Sequence, residues 1–151
     1  MDNTTQLTKL CNLLLKVVDI YSEEIDKILQ SKDLSVIDYI LESSEMHTLG
    51  LLAVNIWEAD YNFFEGISIS KELIQIAFID PCISARYSFT PGKIVALQKI
   101  KQELIFKESN INKYIIKTNK KVLNKRKDKW KNTIDYVFST LEKIKPDIKI
   151  T

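Results

Sequence analysis

The sequence predicts an all-α protein: a small antiparallel helical bundle, or a coiled-coil-like hairpin, with a long C-terminal helix. Only 3 Gly and 3 Pro occur in 151 residues, so turns are few and elements are long. Apolar residues recur three and four positions apart, which keeps them on one face of a helix. No segment indicates a strand. The length suits one domain, covering residues 1–151.

The last third of the chain, from Thr90 to Lys145, dominates the predicted fold. Thr90 suits an N-cap and Pro91 suits the first helical turn, where its missing N–H would have no partner. Neither Gly nor Pro occurs between Gly92 and Pro146. We therefore expect one helix over 91–144, with Ser109–Asn110 as the place where a break would fall.

Three shorter helices precede it, at about 4–30, 34–64 and 70–79. The first is amphipathic, and Thr4 or Thr5 is its expected N-cap. The sequence leaves open whether the first two helices are separate or form one rod. The third is apolar around most of its circumference, so it is either buried on several sides or exposed until a partner covers it.

The charges are divided unequally along the chain. Residues 1–80 carry 5 Lys and 14 Asp or Glu, whereas residues 81–151 carry 17 Lys or Arg and 6 Asp or Glu. Acidic and basic helices could lie side by side and neutralise each other. Alternatively, the basic half meets an acidic partner or nucleic acid.

A basic patch lies within this second half. Its density of positive charge suits phosphate binding, and Tyr114 and Trp130 flank it as aromatic residues that could stack on a base. Its members are spaced around the helix, as a solvated helix face would also have them. The patch consists of Lys113, Lys117, Lys120, Lys121, Lys125, Arg126 and Lys127.

An apolar stripe on the last helix is the candidate partner-binding surface. The stripe is either ordinary bundle core, above all at Ile111, Ile115 and Val122, or partly uncovered, because the predicted last helix outruns a first helix of about 27 residues. An uncovered apolar strip marks a surface that binds another protein. The residues assigned to this contact are Ile111, Ile115, Val122, Trp130, Ile134, Val137 and Leu141.

Catalytic and metal-binding motifs are missing from the sequence. There is no GxGxxG, P-loop or GxSxG motif, and His47 has no second ligand at metalloprotease spacing. Cys11 and Cys82 are isolated and predicted to be reduced, buried thiols. We expect a non-enzymatic cytoplasmic protein, a monomer or homodimer, with no cofactor, metal site or membrane span.

Two segments carry a resemblance to a known family. The first runs Leu7-Thr-Lys-Leu-Cys-Asn-Leu-Leu-Leu and continues to Tyr21-Ser-Glu-Glu-Ile; the second is Asn110-Ile-Asn-Lys-Tyr-Ile-Ile. With the all-helical layout, they resemble the FlgN-type flagellar export chaperones. The resemblance implies a chaperone that captures an amphipathic C-terminal helix of a hook-associated client and delivers it to the type III export gate.

Two other function classes compete with this interpretation. A nucleic-acid-binding helical protein would use the Lys-rich last helix, and its binding would fade with added salt. A viral, Bcl-2-like host-interaction protein would also be small and all-helical. A central apolar hairpin would favour that class, but the apolar run Leu73–Ile79 is too short for one.

Overall fold

The computed structural model describes residues 2–31, 44–79, 91–105 and 107–146. These residues form helices and no strand, so the predicted all-α helical bundle is confirmed. The elements are α1 (Asn3–Ser31), α2 (Ser44–Ala59), α3 (Tyr61–Gly66), α4 (Lys71–Ile74), a π-helical turn (Gln75–Ile79), α5 (Pro91–Ile105), α6 (Lys107–Lys117) and α7 (Lys120–Ile144). The predicted start of the second helix, Cys82 and the Thr90 cap lie outside the described residues.

Helix α1 is the element against which most of the others pack. It contacts α2, α5, α6 and α7, whereas the sequence suggested that the last third would dominate. At about 100° per residue, the buried side chains of α1 cover roughly half of its circumference, so it can pack on several sides. These side chains are Leu7, Leu10, Cys11, Leu13, Leu14, Val17, Val18, Ile20, Tyr21 and Ile25.

The N-terminus of α1 is capped by Asp2 and not by the expected Thr4 or Thr5. The backbone N–H of Thr5 donates a hydrogen bond to Asp2 Oδ1 at 2.7 Å, as an N-cap carboxylate typically accepts. This bond is the main reason why the pKa of Asp2 lies below its ordinary value.

The first two predicted helices are separate elements. Helices α1 and α2 pack against each other, which one continuous rod could not do. The predicted helix 34–64 does not continue through Asp60, where α2 has ended and α3 begins. Asp60 caps α3, because its Oδ1 accepts a hydrogen bond from the N–H of Phe63 at 3.3 Å.

The segment Lys71–Ile79 is buried on several sides. Ser70 caps α4 through its hydroxyl, which accepts from the N–H of Leu73. Ile74, Ala77 and Phe78 are fully buried, and the π-helical turn packs on α2 and α5. Of the two alternatives that the sequence left open, the structure shows the buried one for most of this segment, while Ile76 is 38% exposed.

The predicted continuous helix 91–144 is wrong, because α6 ends at Lys117 and α7 begins at Lys120. Thr118 Oγ1 donates to the carbonyl of Tyr114, and the side chain of Asn119 accepts from the N–H of Lys121 at 2.8 Å. Such bonds from side chain to backbone compete with helical ones. The break therefore falls here and not at Ser109–Asn110, which lies inside α6.

Candidate partner-binding surface

The predicted apolar stripe is mostly core. Ile111, Trp130, Val137 and Leu141 are fully buried, and Ile115 and Ile134 are partly buried against the same cluster. Only Val122 is exposed, at 36%. The expectation that the stripe lacks an internal cover is therefore wrong.

The length of the last helix explains this error. Helix α7 has 25 residues and α1 has 29, so α7 does not outrun its cover. It packs on both α1 and α2, and these two helices bury the side of α7 that carries Trp130. A fully buried side chain offers no surface to a partner while the fold is intact.

Other apolar side chains on the last two helices face solvent. Ile116 on α6 is 83% exposed, and Tyr136 and Phe138 on α7 are 56% and 38% exposed. The sequence analysis did not select Ile116 and Tyr136, because they lie off the periodic stripe. An isolated exposed apolar side chain is ordinary, so the surroundings of each one decide whether it matters.

Most of the predicted basic patch lies on the surface, around the α6–α7 junction. We call Lys113, Lys117, Lys120, Lys121 and Lys125 the lysine face; all five are exposed. Within the described part of the chain, none of them forms an ion pair within 4 Å. Lys127 is half-buried. No Asp or Glu occurs between residues 109 and 127.

Few of the basic side chains in the second half of the chain form ion pairs with acidic residues on neighbouring helices. The ion pairs between elements of the described structure join Lys101 to Asp19 at 2.6 Å, Lys145 to Glu24 at 3.6 Å, and Arg126 to Asp60 at 3.0 Å. Of the predicted basic patch, only Arg126 takes part. No lysine of the lysine face forms an ion pair with another described residue.

Arg126 does not belong to the solvated patch to which the sequence analysis assigned it. Its side chain is only 25% exposed, and the Asp60 side chain that it contacts is fully buried. Tyr114 also donates its hydroxyl proton to Asp60 Oδ1, at 2.8 Å, and contacts Arg126. Asp60, Tyr114 and Arg126 thus form a polar cluster that ties the end of α2 to α6 and α7.

Burial and the neighbouring carboxylate set the protonation of Tyr114. Burial raises its pKa, and both the hydrogen bond to Asp60 and the charge of Asp60 raise it further, while Arg126 acts in the opposite direction. The phenol therefore stays neutral and donates. Since Asp60 is fully buried, we assign the polar cluster a structural role.

The sequence analysis missed Asp60 as a member of any site. Its position three residues before the hydrophobic pair Phe63–Phe64 is a recognisable helix-start signal, because Asp is a favoured N-cap residue. The side chains that reach it lie 54 and 66 positions further along the chain. No local pattern could reveal those contacts.

A cleft between α3 and α6 borders the lysine face. We call it the α3–α6 cleft; its volume is about 200 Å³. Its lining is apolar on one side, where the buried Phe63 and Ile67 lie, and basic at the edge, where Lys113 and Lys117 are exposed. The lining residues are Phe63, Gly66, Ile67, Asn110, Lys113, Tyr114 and Lys117.

A larger groove lies between α2 and α7. It has a volume of about 470 Å³ and is lined by Asn55, Glu58, Lys129, Asn132, Thr133 and Tyr136. Its lining combines one acidic and one basic residue with neutral polar groups. This mixture points to no particular ligand charge, in contrast to the α3–α6 cleft.

His47 and Cys11 belong to no metal-binding group among the described residues. His47 is exposed on α2 and Cys11 is fully buried in α1, while Cys82 lies outside the described residues. Across residues 2–31, 44–79, 91–105 and 107–146, no three His, Cys, Asp or Glu side chains are grouped to hold a metal ion. None of the helices described above is both long and apolar enough to cross a membrane.

Comparisons with protein-family models, curated proteins and solved structures found no match to this chain. The fold and surface define its class as an all-α helical bundle with a basic face. The resemblance to FlgN-type chaperones stays a prediction.

Proposed function

We propose that this chain is a non-enzymatic, cytoplasmic binding protein that captures an amphipathic helix of a protein client. The chaperone role implied by the FlgN-type resemblance, with an exported hook-associated client, is the specific form that we favour. The observation that carries the proposal is the lysine face, whose exposed lysines form no ion pair within 4 Å among the described residues, together with the exposed Ile116 next to Lys117 in the sequence. It replaces the apolar stripe as the candidate client contact.

Two members of the lysine face occupy an unfavourable position at a helix start. Lys120 and Lys121 lie in the first turn of α7, which contains no acidic residue. The helix dipole places partial positive charge at this end, so cations are disfavoured there. Residues that break a local stability rule are expected at functional sites, and a negatively charged partner would relieve this repulsion.

Features of the same surface favour a protein partner over nucleic acid. Ile116 presents an aliphatic side chain that is 83% exposed, and apolar contact is typical of helix capture. Both aromatic residues expected to stack on bases are occupied or inaccessible. Tyr114 packs on Phe63 and binds Asp60, and Trp130 is fully buried.

Nucleic acid is the second candidate, and the unpaired lysines favour it. Five exposed lysines that form no ion pair among the described residues could neutralise several phosphates, and such binding needs no specific pocket. Its affinity would fall steeply with added salt. The two candidates differ in whether removal of nucleic acid abolishes capture.

A pull-down from nuclease-treated lysate of the native organism tests the proposal. The wild-type chain should retain one helical protein, and the Lys121→Glu/Lys125→Glu variant should lose it. The control Lys9→Glu/Lys99→Glu makes the same charge change at exposed lysines on α1 and α5 and should retain the client. Loss of the wild-type capture on nuclease treatment would instead establish the nucleic-acid function.

A further inference from the structure

We infer that the α3–α6 cleft anchors the client by taking one apolar side chain of an acidic amphipathic helix. Lys113 and Lys117 would pair with carboxylates on either side of that anchor. The inference rests on the proposed function and deepens it, because it specifies the partner's chemistry and the place where it docks.

The shape and lining of the cleft fit an apolar anchor. Phe63 and Ile67 close the back of the cleft with the little surface that they leave exposed, and the half-buried ring of Tyr114 adds to this apolar lining. The volume of about 200 Å³ suits a single side chain better than a whole small-molecule ligand. Gly66 leaves the entrance open, because a Cβ built at this position meets no atom within 4 Å. The surface therefore offers a pocket and not only a charged plane.

The wall formed by Tyr114 is held in place before any partner binds. Its ring packs edge-on against Phe63, with ring centres 5.2 Å apart, and its hydroxyl donates to the buried Asp60. A pocket fixed in this way loses little conformational freedom on binding, which favours affinity. The polar cluster thus supports the cleft from behind.

The charges around the cleft select an acidic helix. Lys113 and Lys117 are four residues apart on α6, so both lie along the same side of the helix. A partner helix with Glu or Asp one turn apart presents carboxylates at matching intervals. Ile116 is not part of the cleft lining.

Nucleic acid fits this cleft less well than an acidic helix. Its apolar wall offers nothing to a phosphate, and the nearby Arg126 is engaged with Asp60, so the fork geometry that favours phosphate recognition is unavailable. A second copy of this chain could present acidic helices of its own. The experiment below distinguishes nucleic acid and a second copy of this chain from an acidic client helix.

Fluorescence anisotropy with synthetic probes tests the inference directly. The probe is a labelled peptide of about five helical turns, with Leu along one face and Glu elsewhere. A scrambled peptide of the same composition removes the apolar face, and a labelled single-stranded oligonucleotide represents nucleic acid. We expect the amphipathic acidic peptide to bind more tightly than either.

Two cleft variants should then weaken this binding. Lys113→Glu/Lys117→Glu reverses the charge at the edge, and Gly66→Phe fills the entrance; each should raise the Kd at least about tenfold. Thermal unfolding followed by circular dichroism checks that both variants fold. The control Lys9→Glu/Lys99→Glu should bind like the wild type.

Other results would overturn the inference. These are no peptide binding above background, equal binding by the cleft variants, or tighter binding of the oligonucleotide. Sedimentation that shows a dimer dissociated by Lys113→Glu/Lys117→Glu would assign the cleft to a second copy. If the cleft variants still capture the lysate client while Lys121→Glu/Lys125→Glu does not, the proposed function stands and only the anchor site is wrong.

Discussion

Asp60 links several elements of the fold through one oxygen of its buried carboxylate. Its buried carboxylate accepts hydrogen bonds from the N–H of Phe63, the hydroxyl of Tyr114 and the guanidinium of Arg126. A buried charge is tolerated only when it is paired and hydrogen-bonded. One side chain therefore ties together the start of α3, the middle of α6 and the first half of α7.

Arg126→Ala should destabilise the protein strongly, because it leaves the Asp60 carboxylate buried without a countercharge. Breaking a buried pair in this way costs about 3–5 kcal/mol, and the partial exposure of Arg126 places the expected loss near the lower end. Urea denaturation measures the change. Lys125→Ala, at the exposed neighbouring position, should stay within about 0.5 kcal/mol of wild type; equal losses would contradict the assignment.

Trp130→Ala should also destabilise the protein, since the indole is fully buried. Truncating a buried Trp costs about 3–5 kcal/mol through lost burial and the cavity left behind. Tyr136→Ala is the matched control on the same helix, where the ring is 56% exposed. Comparable unfolding midpoints for the two variants would mean that Trp130 is a surface residue after all.

At the level of the elements, the N-terminus of α7 is locally unfavourable. Lys121→Glu replaces a cation in the first turn by an anion and should raise the free energy of unfolding by about 0.3–1 kcal/mol. Lys131→Glu makes the same charge change at an exposed site away from the helix end. Thermal unfolding should show a smaller increase in stability for Lys131→Glu than for Lys121→Glu, because the effect of the helix dipole fades beyond the first turn.

No gain for Lys121→Glu over Lys131→Glu would remove one support of the proposed function. Lys121 would then not destabilise the start of α7, and its presence there would give no reason to infer a negatively charged partner.

Most of the helices were predictable from the sequence. The position of the break before α7 was not, and neither was the central position of α1 in the bundle. Amphipathic spacing identified α1 and the last third, because that signal is local. The break at Thr118–Asn119 depends on which of several polar residues bonds to the backbone, and Ser109–Asn110 offered the same chemistry. The central place of α1 depends on packing by four other helices.

At the scale of the whole molecule, charge was easier to predict than burial. The exposure of Lys113 and Lys121 follows from the usual preference of lysine for solvent, although Lys93 is fully buried. Whether Val137 is core or interface depends on what covers it, and periodicity is the same in both cases. The half-buried position of Arg126 was not predictable, because its partner Asp60 lies 66 residues away in the sequence.

The places of the two tryptophans have a consequence for spectroscopy. Trp57 is nearly buried and donates its indole N–H to the carbonyl of Ile69 at 2.9 Å, and Trp130 is fully buried. Both indoles are shielded from water, so their emission should be blue-shifted in the folded protein and move to the red on unfolding. Neither lines the α3–α6 cleft. Intrinsic fluorescence will thus follow denaturation and be nearly blind to docking, which needs a label on the partner.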